Sequence, residues 1–229
     1  MKGLKSSDLF FEKVSFSWPS GKKVLDQCTF SIPKPGLWML VGANGSGKST
    51  LFRLISGMLR PQSGRIQCDL NPALMFQNPD HQLLLPSCSS DLLLSLPRGL
   101  NPAQRLQRIQ ESLKQVDLAD IESRPIHTLS GGQKQRLALA GALASEKNLL
   151  LLDEPTALLD PLSQNTVLKI VRKLCSCEKN PISAIWITHR LEELQYCDGA
   201  AKMENGQIGP WLSGDLQMQR IKPLAVRRV

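Results

Sequence analysis

A glycine-rich segment of nine residues places the strongest constraint on what this chain can fold into. It reads Gly42-Ala43-Asn44-Gly45-Ser46-Gly47-Lys48-Ser49-Thr50 and matches the pattern G-x-x-x-x-G-K-[ST]. The apolar run before it, residues 37–41, is typical of a buried strand, and apolar residues recur at helical spacing over residues 51–59. The segment therefore predicts a turn between a strand and a helix, which is the context that this pattern requires.

The residue types in this segment point to phosphate binding. Gly42, Gly45 and Gly47 tolerate backbone angles that a β-carbon forbids, so successive N–H groups can turn toward one anion. The helix that begins near Lys48 adds the positive end of its dipole. Lys48 can reach the β- and γ-phosphates, and Ser49 offers a hydroxyl oxygen to Mg²⁺. The alternative is an ordinary glycine-rich turn, but every fixed position is present in the right context, so we predict a nucleoside triphosphate site.

Composition narrows the class of protein. A chain of 229 residues suffices for one large α/β domain. It has neither an apolar span of about 18 residues nor the features of a secretory signal, so we expect that it does not cross a membrane by itself. Its six scattered cysteines form no C-x-x-C pair and are interpreted as free thiols in a reducing compartment. The net charge is +8, but bases alternate with acids outside the basic C-terminus, so no nucleic acid partner is expected.

The order of strands and helices predicts an α/β fold. Strand-like runs at residues 9–18 and 24–32, joined by a short turn, indicate a small antiparallel β-layer. The four leucines at residues 149–152 and the mostly apolar run at residues 182–188 predict buried strands that alternate with helices around the glycine-rich turn, and Asn205-Gly206 predicts a hairpin. This alternation favours a mainly parallel sheet.

Residues 79–128 differ from the rest of the chain. Strand patterns disappear there, and leucine, glutamine and arginine dominate. One predicted helical stripe is formed by Leu106, Ile109, Leu113 and Val116. We therefore expect a helical subdomain at approximately 79–128, inserted into a single domain that spans residues 1–229.

Two adjacent carboxylates, Asp153 and Glu154, follow the four-leucine strand. A carboxylate at the C-terminal end of a strand beside the strand of the phosphate loop can hold Mg²⁺, usually through water. A second carboxylate next to it can act as a general base on the attacking water. We assign the metal to Asp153 and the base to Glu154. The alternative is a strand end capped by solvated acids.

A second helix is predicted to open with the residues Ser130, Gly131, Gly132 and Gln133. The serine can cap this helix, and the two glycines leave its first N–H groups uncovered. Lys134 and Arg136 lie in the first turns, where the helix dipole disfavours cations, so we expect an anion to dock there. The stretch is thus a candidate second phosphate site, which one ATP cannot easily share with the first loop.

His189 lies at the end of the last buried strand. A histidine that leaves a strand near the two carboxylates can contact a γ-phosphate or its attacking water. Such a histidine alone would more often be structural. Because the other motifs are also present, we favour a functional role for His189.

Taken in chain order, these motifs resemble the ATP-binding-cassette (ABC) ATPases over residues 9–208. The pentapeptide Leu129–Gln133 is specific to that family, since kinases and G proteins lack it. The resemblance implies that Trp18 stacks on adenine and that Gln77 reaches Mg²⁺ and senses the γ-phosphate. It also implies that residues 157–160 connect two such domains. The fold class is then an α/β P-loop ATPase core with a mainly parallel sheet, a small antiparallel β-layer and an inserted helical subdomain.

Two further stretches are similar to the ATPases of energy-coupling-factor importers, which take up vitamins or transition-metal ions. They are residues 77–82 and 140–143, where Gly141 stands in place of the arginine of many other cassettes. Leu158 departs from the pattern of this group, in which a small residue is expected. The chain also ends soon after the core, so dimer contacts through the longer C-terminal region common in that group are not carried over.

The resemblance implies a hydrolase that binds ATP and Mg²⁺. Lys48 and Gln77 would act in catalysis together with Glu154 and His189, and Ser49, Gln77 and Asp153 would hold the metal ion. A second ABC ATPase subunit, identical or a paralogue, would close head to tail on this one. Its Ser130–Gln133 segment would then face the ATP on the first phosphate loop.

The resemblance also implies an integral membrane transport subunit that docks near Gln77, with this chain peripheral at the cytoplasmic face of the cell membrane. The apolar runs at residues 83–85 and 92–94 would supply part of the docking groove or, equally, the core of the subdomain. A soluble ABC-type ATPase that is not engaged in transport shares every motif and is the alternative. The transported substrate is not encoded in this chain, because substrate contacts belong to other subunits.

Overall fold

The computed structural model describes residues 8–225, and the last residues of the basic C-terminus, 226–229, lie outside that range. Within it the chain alternates short strands with helices. The strands are β1 (Leu9–Ser17), β2 (Lys23–Ser31), β3 (Leu37–Val41), β4 (Ser63–Cys68), β5 (Pro72–Met75), β6 (Leu149–Asp153), β7 (Ser183–Ile187), β8 (Gly199–Glu204) and β9 (Gln207–Ile208). The α-helices are α1 (Lys48–Ile55), α2 (Cys88–Ser95), α3 (Pro102–Gln115), α4 (Gly131–Ala144), α5 (Pro161–Cys175) and α6 (Gly214–Ala225).

The predicted antiparallel layer is present. It has the strand order β2-β1-β4, so a third strand joins the two that the sequence indicated. Burial in β1 has period two on each side of an irregularity in the pairing, which places Leu9, Phe11, Val14 and Phe16 in the core while Glu12 and Lys13 are both exposed. This alternation explains why the layer can cover the core with one face and remain solvated on the other.

The main sheet has the order β5-β6-β7-β3-β8-β9, in which all pairs are parallel except β8 with β9. The hairpin predicted at Asn205-Gly206 joins the last two strands. The expectation that the strand of Asp153 lies beside the strand of the phosphate loop is wrong, because β7 separates β6 from β3. Mostly apolar strands such as these are buried on both faces, and their sequences carry no signal for which strands are neighbours.

The main sheet lies between two apolar cores. On one face, Met39, Leu152 and Trp186 pack with residues of α2 to α5. On the other face, Leu40 and Leu151 pack with α1 and with the antiparallel layer. Burial on both faces fixes the sheet firmly, since each fully buried leucine contributes about 1.5–3 kcal/mol.

The stretch expected to be helical, residues 79–128, contains α2 and α3 and no strand. Ile109, Leu113 and Val116 of the predicted stripe are buried, whereas Leu106 is 53% exposed, so the buried part of the stripe begins at Ile109. The first turns of α3 extend into solvent, where a reciprocal cap between Asn101 and Gln104 holds them helical. The boundaries of the subdomain stay a prediction, since both helices also pack against α4.

Helix α6 was not predicted from the sequence. It packs against the 3-10 helix Leu191–Tyr196, where Met218 and Ile221 reach the core cluster that also contains Leu194. None of the helices in the described range is long and apolar enough to span a membrane.

Candidate nucleotide site

The phosphate loop and the residues predicted for catalysis and metal binding lie at one edge of the main sheet. Parallel strands β5, β6, β7 and β3 are consecutive neighbours, so their carboxyl ends lie side by side. Gln77 follows the first of these strands, Asp153 ends the second with Glu154 directly after it, and His189 follows the third. The phosphate loop follows the fourth. Ligands of open α/β sheets bind at this edge, so the topology gathers the motifs where a nucleotide is expected.

The phosphate loop turns into α1 at Gly47. This residue has φ 110°, a left-handed conformation that favours glycine. A β-carbon there would also lie 2.8 Å from both Val24 Cγ1 and Met203 Cε. The turn therefore needs glycine for two reasons, and it places the N–H groups of the first turn of α1 at the sheet edge.

Lys48 is a buried cation inside the loop. Its side chain is folded back so that Nζ donates to the carbonyl oxygens of Gly42 at 2.8 Å and Ala43 at 3.0 Å, and the residue is 6% exposed. Burial lowers the pKa of Lys48, and the negative charges of Glu154 and Asp153 offset part of that effect. Among the described residues, no carboxylate forms an ion pair with this ammonium group. Such a site suits a bound phosphate, because a buried charge needs a compensating partner.

A cavity of ≈ 280 Å³ opens beside this lysine. The predicted residues that line it are Trp18, Asn44, Gly45, Gly47, Lys48, Ser49, Thr50 and Glu154. The indole of Trp18 is held edge-on by Phe16 at 5.3 Å, and the guanidinium of Arg53 lies 6.0 Å from its ring centre. Gly42, Ala43 and Ser46 line neighbouring cavities instead. Most of the loop and the aromatic side chain thus surround one space.

Glu154 and His189 are in direct contact. The His189 Nε2 and Glu154 Oε1 atoms are 2.9 Å apart. Glu154 has φ +50°, a left-handed conformation that is unusual for a residue with a β-carbon, and its N–H donates to the Ile187 carbonyl at 3.2 Å. Such a conformation costs about 1–3 kcal/mol and persists only where the surroundings impose it. The fold therefore holds these two side chains together at a local conformational cost.

The three residues predicted to bind Mg²⁺ all offer oxygen atoms. Ser49 and Gln77 are exposed, and Asp153 is partly exposed at the end of β6. None of these three side chains forms a hydrogen bond or ion pair with another described residue, so their oxygen atoms are available to a cation. Mg²⁺ is a hard cation that prefers oxygen ligands, and the donor set fits it.

The start of α4 has the cap that the sequence predicted. The Gln133 N–H donates to Ser130 Oγ at 3.2 Å, and the Ser130 N–H donates to Gln133 Oε1 at 3.0 Å. A β-carbon on Gly132 would lie 2.5 Å from Ser163 Oγ, whereas one on Gly131 would meet only Leu159 Cδ2 at 3.4 Å. The second glycine is therefore required by packing against α5, and it is buried, so of the two glycines expected to leave the helix start uncovered only Gly131 is exposed. Residues 130–133 are absent from the described lining of the phosphate-loop cavity.

The expected charge mismatch on α4 is wrong. The Lys134 ammonium lies 2.7 Å from the Asp80 carboxylate, and Arg136 Nη1 donates to the carbonyl oxygens of Val116 and Asp117. Both cations are thus satisfied within the chain by segments distant in sequence. The helix dipole acts within α4 alone, whereas the partners of both cations lie on other segments of the chain.

Two residues near the site were not predicted from the sequence. Lys22 lines the cavity close to Trp18, and its place in a polar turn gave no signal. Glu193 is a buried carboxylate behind His189. It was not predicted because acidic residues are rarely buried and the surrounding sequence is typical of an exposed helical turn. A tertiary structure is needed to find either.

Comparison with known proteins identifies the family. A family model described as ABC transporter matches residues 25–157. The chain belongs to the ABC transporter family. It is 45% identical over 187 residues to ABC transporter I family member 10 of Arabidopsis thaliana, which covers 81% of this chain and 69% of that protein. The energy-coupling factor transporter ATP-binding protein EcfA1 of Geobacillus kaustophilus is 37% identical over 215 residues, 87% of this chain and 76% of that protein.

A solved structure has the same fold over nearly the whole chain. It is cbiO1 from Clostridium perfringens, described as part of the ABC transporter complex cbiONQ. The TM-score is 0.85 at 28% identity, over 98% of this chain and 96% of that one. The predicted fold class is confirmed, and so is the resemblance to ABC ATPases, in particular to energy-coupling-factor ATP-binding proteins.

Proposed function

We propose that this chain is the ATP-hydrolysing subunit of an energy-coupling-factor-type importer of a transition-metal ion or a vitamin. The observation that carries the proposal is the contact of Glu154 with His189 at 2.9 Å, beside a cavity that contains the Lys48 side chain. A base, a polar positioning group and a phosphate-binding cation are the parts that ATP hydrolysis needs. The relatives named as energy-coupling factor transporter ATP-binding proteins support the choice of transporter.

The residues that bind ATP lie along the cavity. Trp18 offers an indole face on which adenine stacks, and the N–H groups of the phosphate loop donate to the phosphate oxygens. Lys48 exchanges its loop carbonyl contacts for the β- and γ-phosphates. When bound, Mg²⁺ neutralises charge that develops on the phosphates, and Ser49, Gln77 and Asp153 would hold it.

Hydrolysis follows from the pair at the cavity edge. The oxygen of a water molecule attacks the γ-phosphorus while Glu154 accepts a proton from that water, and the bond from the γ-phosphorus to the bridging oxygen breaks to release ADP. His189 would orient the carboxylate through the contact at 2.9 Å and would donate to the γ-phosphate. Positioned general-base catalysis of this kind contributes about 10²–10⁴ in rate.

One chain leaves its ATP uncovered, and a second ABC ATPase subunit would complete the site. Ser130 and Gly131 at the capped start of α4 are exposed, and residues 130–133 lie outside the described lining of the cavity, so Ser130–Gln133 would serve the nucleotide of a partner that is identical or a paralogue. ATP between the two subunits favours closure, and its hydrolysis removes the ligand that holds them together.

A membrane subunit would dock beside Gln77. The apolar runs proposed for this surface divide in the structure: Leu92 is buried in the core, whereas Leu84, Leu93 and Leu94 are exposed. The exposed leucines support an apolar docking surface on the expected subdomain. The chain would then be peripheral, at the cytoplasmic face of the cell membrane.

Replacing the proposed base tests the function. We expect Glu154→Gln to lower the rate of ATP hydrolysis by about 10²–10⁴ while ATP binding is retained and the closed dimer accumulates. Glu146→Gln is a matched control, because Glu146 also has a left-handed backbone, φ 57°, and pairs with Arg108 away from the site. Phosphate release and size-exclusion chromatography with ATP measure both effects. Undiminished turnover in Glu154→Gln would refute the assignment.

A second prediction follows if each ATP is shared between two subunits. Ser130→Arg should abolish hydrolysis and leave ATP binding by the open monomer intact, because Ser130 would serve the partner's nucleotide. Ser130→Asp keeps a helix cap and only adds a charge that repels phosphate, so it should lose hydrolysis without losing stability. Loss of monomer binding in an equilibrium titration would contradict the shared site.

The alternative, a soluble ABC-type ATPase outside transport, is tested by its partner. Affinity purification from detergent-solubilised membranes should recover an integral membrane protein in a fixed ratio to this chain. A pool found entirely in the soluble fraction, with no such protein, would favour the alternative.

A further inference from the structure

We propose that Glu193 is a positioning residue that holds the Glu154 carboxylate against the His189 imidazole. This inference rests on the proposed function, in which those two groups act on the water and the γ-phosphate. Glu193 lies in the 3-10 helix Leu191–Tyr196, behind the site, and it does not line the phosphate-loop cavity.

The Glu193 carboxylate is buried, and each of its two oxygens accepts a hydrogen bond. The residue is 5% exposed. Its Oε1 accepts a hydrogen bond from Thr156 Oγ1 at 2.6 Å, and its Oε2 accepts one from Trp186 Nε1 at 3.0 Å. Arg190 Nε lies 3.7 Å from Oε1. A buried carboxylate is stable only with partners of this kind.

These contacts join the two segments that carry the reacting groups. Thr156 is two residues after Glu154, and Arg190 directly follows His189. The Glu193 N–H also donates to the Arg190 carbonyl at 3.1 Å. Trp186 lies in β7, the strand that leads to His189. One side chain therefore ties the loop after β6 to the loop after β7.

The backbone conformation of Glu154 explains why this link is needed. Its left-handed backbone, φ +50°, is unfavourable unless neighbouring segments impose it. Thr156 is the nearest residue after Glu154 whose side chain is anchored outside its own loop, and Gln164 holds the same loop through the carbonyl oxygens of Thr156 and Leu159. Release of the Thr156 anchor should therefore let the Glu154 carboxylate move away from His189.

Substitutions that differ in their hydrogen-bonding capacity distinguish a positioning role of Glu193 from a purely structural one. The Thr156 hydroxyl can donate or accept, whereas the Trp186 N–H can only donate. Glu193→Gln can therefore keep both contacts, with its oxygen toward Trp186 and its amide N–H₂ toward Thr156. Glu193→Ala loses both contacts, and Thr156→Val loses one while it keeps the shape of the side chain.

The experiment compares kcat and KM for ATP in these variants. We expect Thr156→Val and Glu193→Ala to lower kcat by about 10- to 100-fold, because a small misplacement of reacting groups is that costly. KM should stay within about twofold, and Glu193→Gln should recover most of kcat. Asp198→Asn is the control, because Asp198 lies at the opposite end of the main sheet, where it accepts from Leu37 N–H. It should lower the melting temperature without lowering kcat. Wild-type kcat in Thr156→Val, or equal damage by Glu193→Gln and Glu193→Ala, would overturn the inference.

A spectroscopic measurement keeps the inference separate from the proposed function. The ring resonances of His189, assigned by His189→Ala in histidine-labelled protein without nucleotide, should shift in Thr156→Val and stay in place in Asp198→Asn. If the wild-type protein hydrolyses no ATP, the proposed function fails and these resonances still decide the positioning. His189 resonances that do not move in Thr156→Val would refute it. Thr156→Val also serves if Glu193→Ala does not fold.

Discussion

The two adjacent glycines at the start of α4 should respond differently to the same substitution. In Gly132→Ala, the new β-carbon would lie 2.5 Å from Ser163 Oγ and 2.7 Å from Ser163 Cβ, so α4 and α5 must separate. Overpacking of this kind costs about 1–3 kcal/mol. At about 2–4 °C per kcal/mol for a chain of this size, the melting temperature should fall by about 2–12 °C. In Gly131→Ala the nearest atom is 3.4 Å away, and stability should change by less than about 1 kcal/mol, since alanine favours the helix.

Thermal unfolding followed by circular dichroism, without nucleotide, measures this difference. Ser163→Gly removes both clashing atoms, so adding it to Gly132→Ala should recover stability, although the same substitution destabilises the wild-type helix. The double-mutant cycle should therefore give a favourable coupling between positions 132 and 163. Equal melting temperatures for Gly131→Ala and Gly132→Ala would refute the close approach of α4 to α5. An ATPase assay of the stable Gly131→Ala variant then tests the phosphate role alone.

Two further predictions concern titratable groups. Burial raises the pKa of Asp198, but hydrogen bonds from Arg172 and the Leu37 N–H outweigh it and lower the pKa below the ordinary 3.8. The stability that ionised Asp198 contributes is thus complete near neutral pH and is lost as pH falls through the lowered pKa. Asp198→Asn should therefore lower the free energy of unfolding by about 1–3 kcal/mol at pH 7 and by progressively less below about pH 4. Urea unfolding at several pH values measures this effect, and a difference that stays constant with pH would contradict it. Backbone hydrogen bonds at Asn180 and Lys179 lower the pKa of the exposed Cys177 thiol, whereas burial raises that of Cys175 to about 12, so iodoacetamide should label Cys177 first in the folded protein. Peptide mass spectrometry decides this, and early labelling of Cys175 would contradict it.

The motifs whose meaning is local were predicted well from the sequence. The glycine-rich turn, the helix that begins at Lys48 and the apolar strand that ends at Asp153 all formed as expected, because glycine tolerance and apolar runs act over a few residues. The cap at Ser130 also formed. The functional roles of these residues stay predictions, which the variants above are designed to test.

The sequence alone determined which side chains lie at the ends of buried strands, and from them it predicted the class of chemistry. Only the tertiary structure decided that β7 separates β6 from β3, and that Glu154 therefore meets His189. It alone showed that Lys134 pairs with Asp80, a carboxylate outside its own helix. The physical reason is that hydrophobic periodicity records whether a residue is buried, whereas partners are chosen by packing between segments that are distant in the chain.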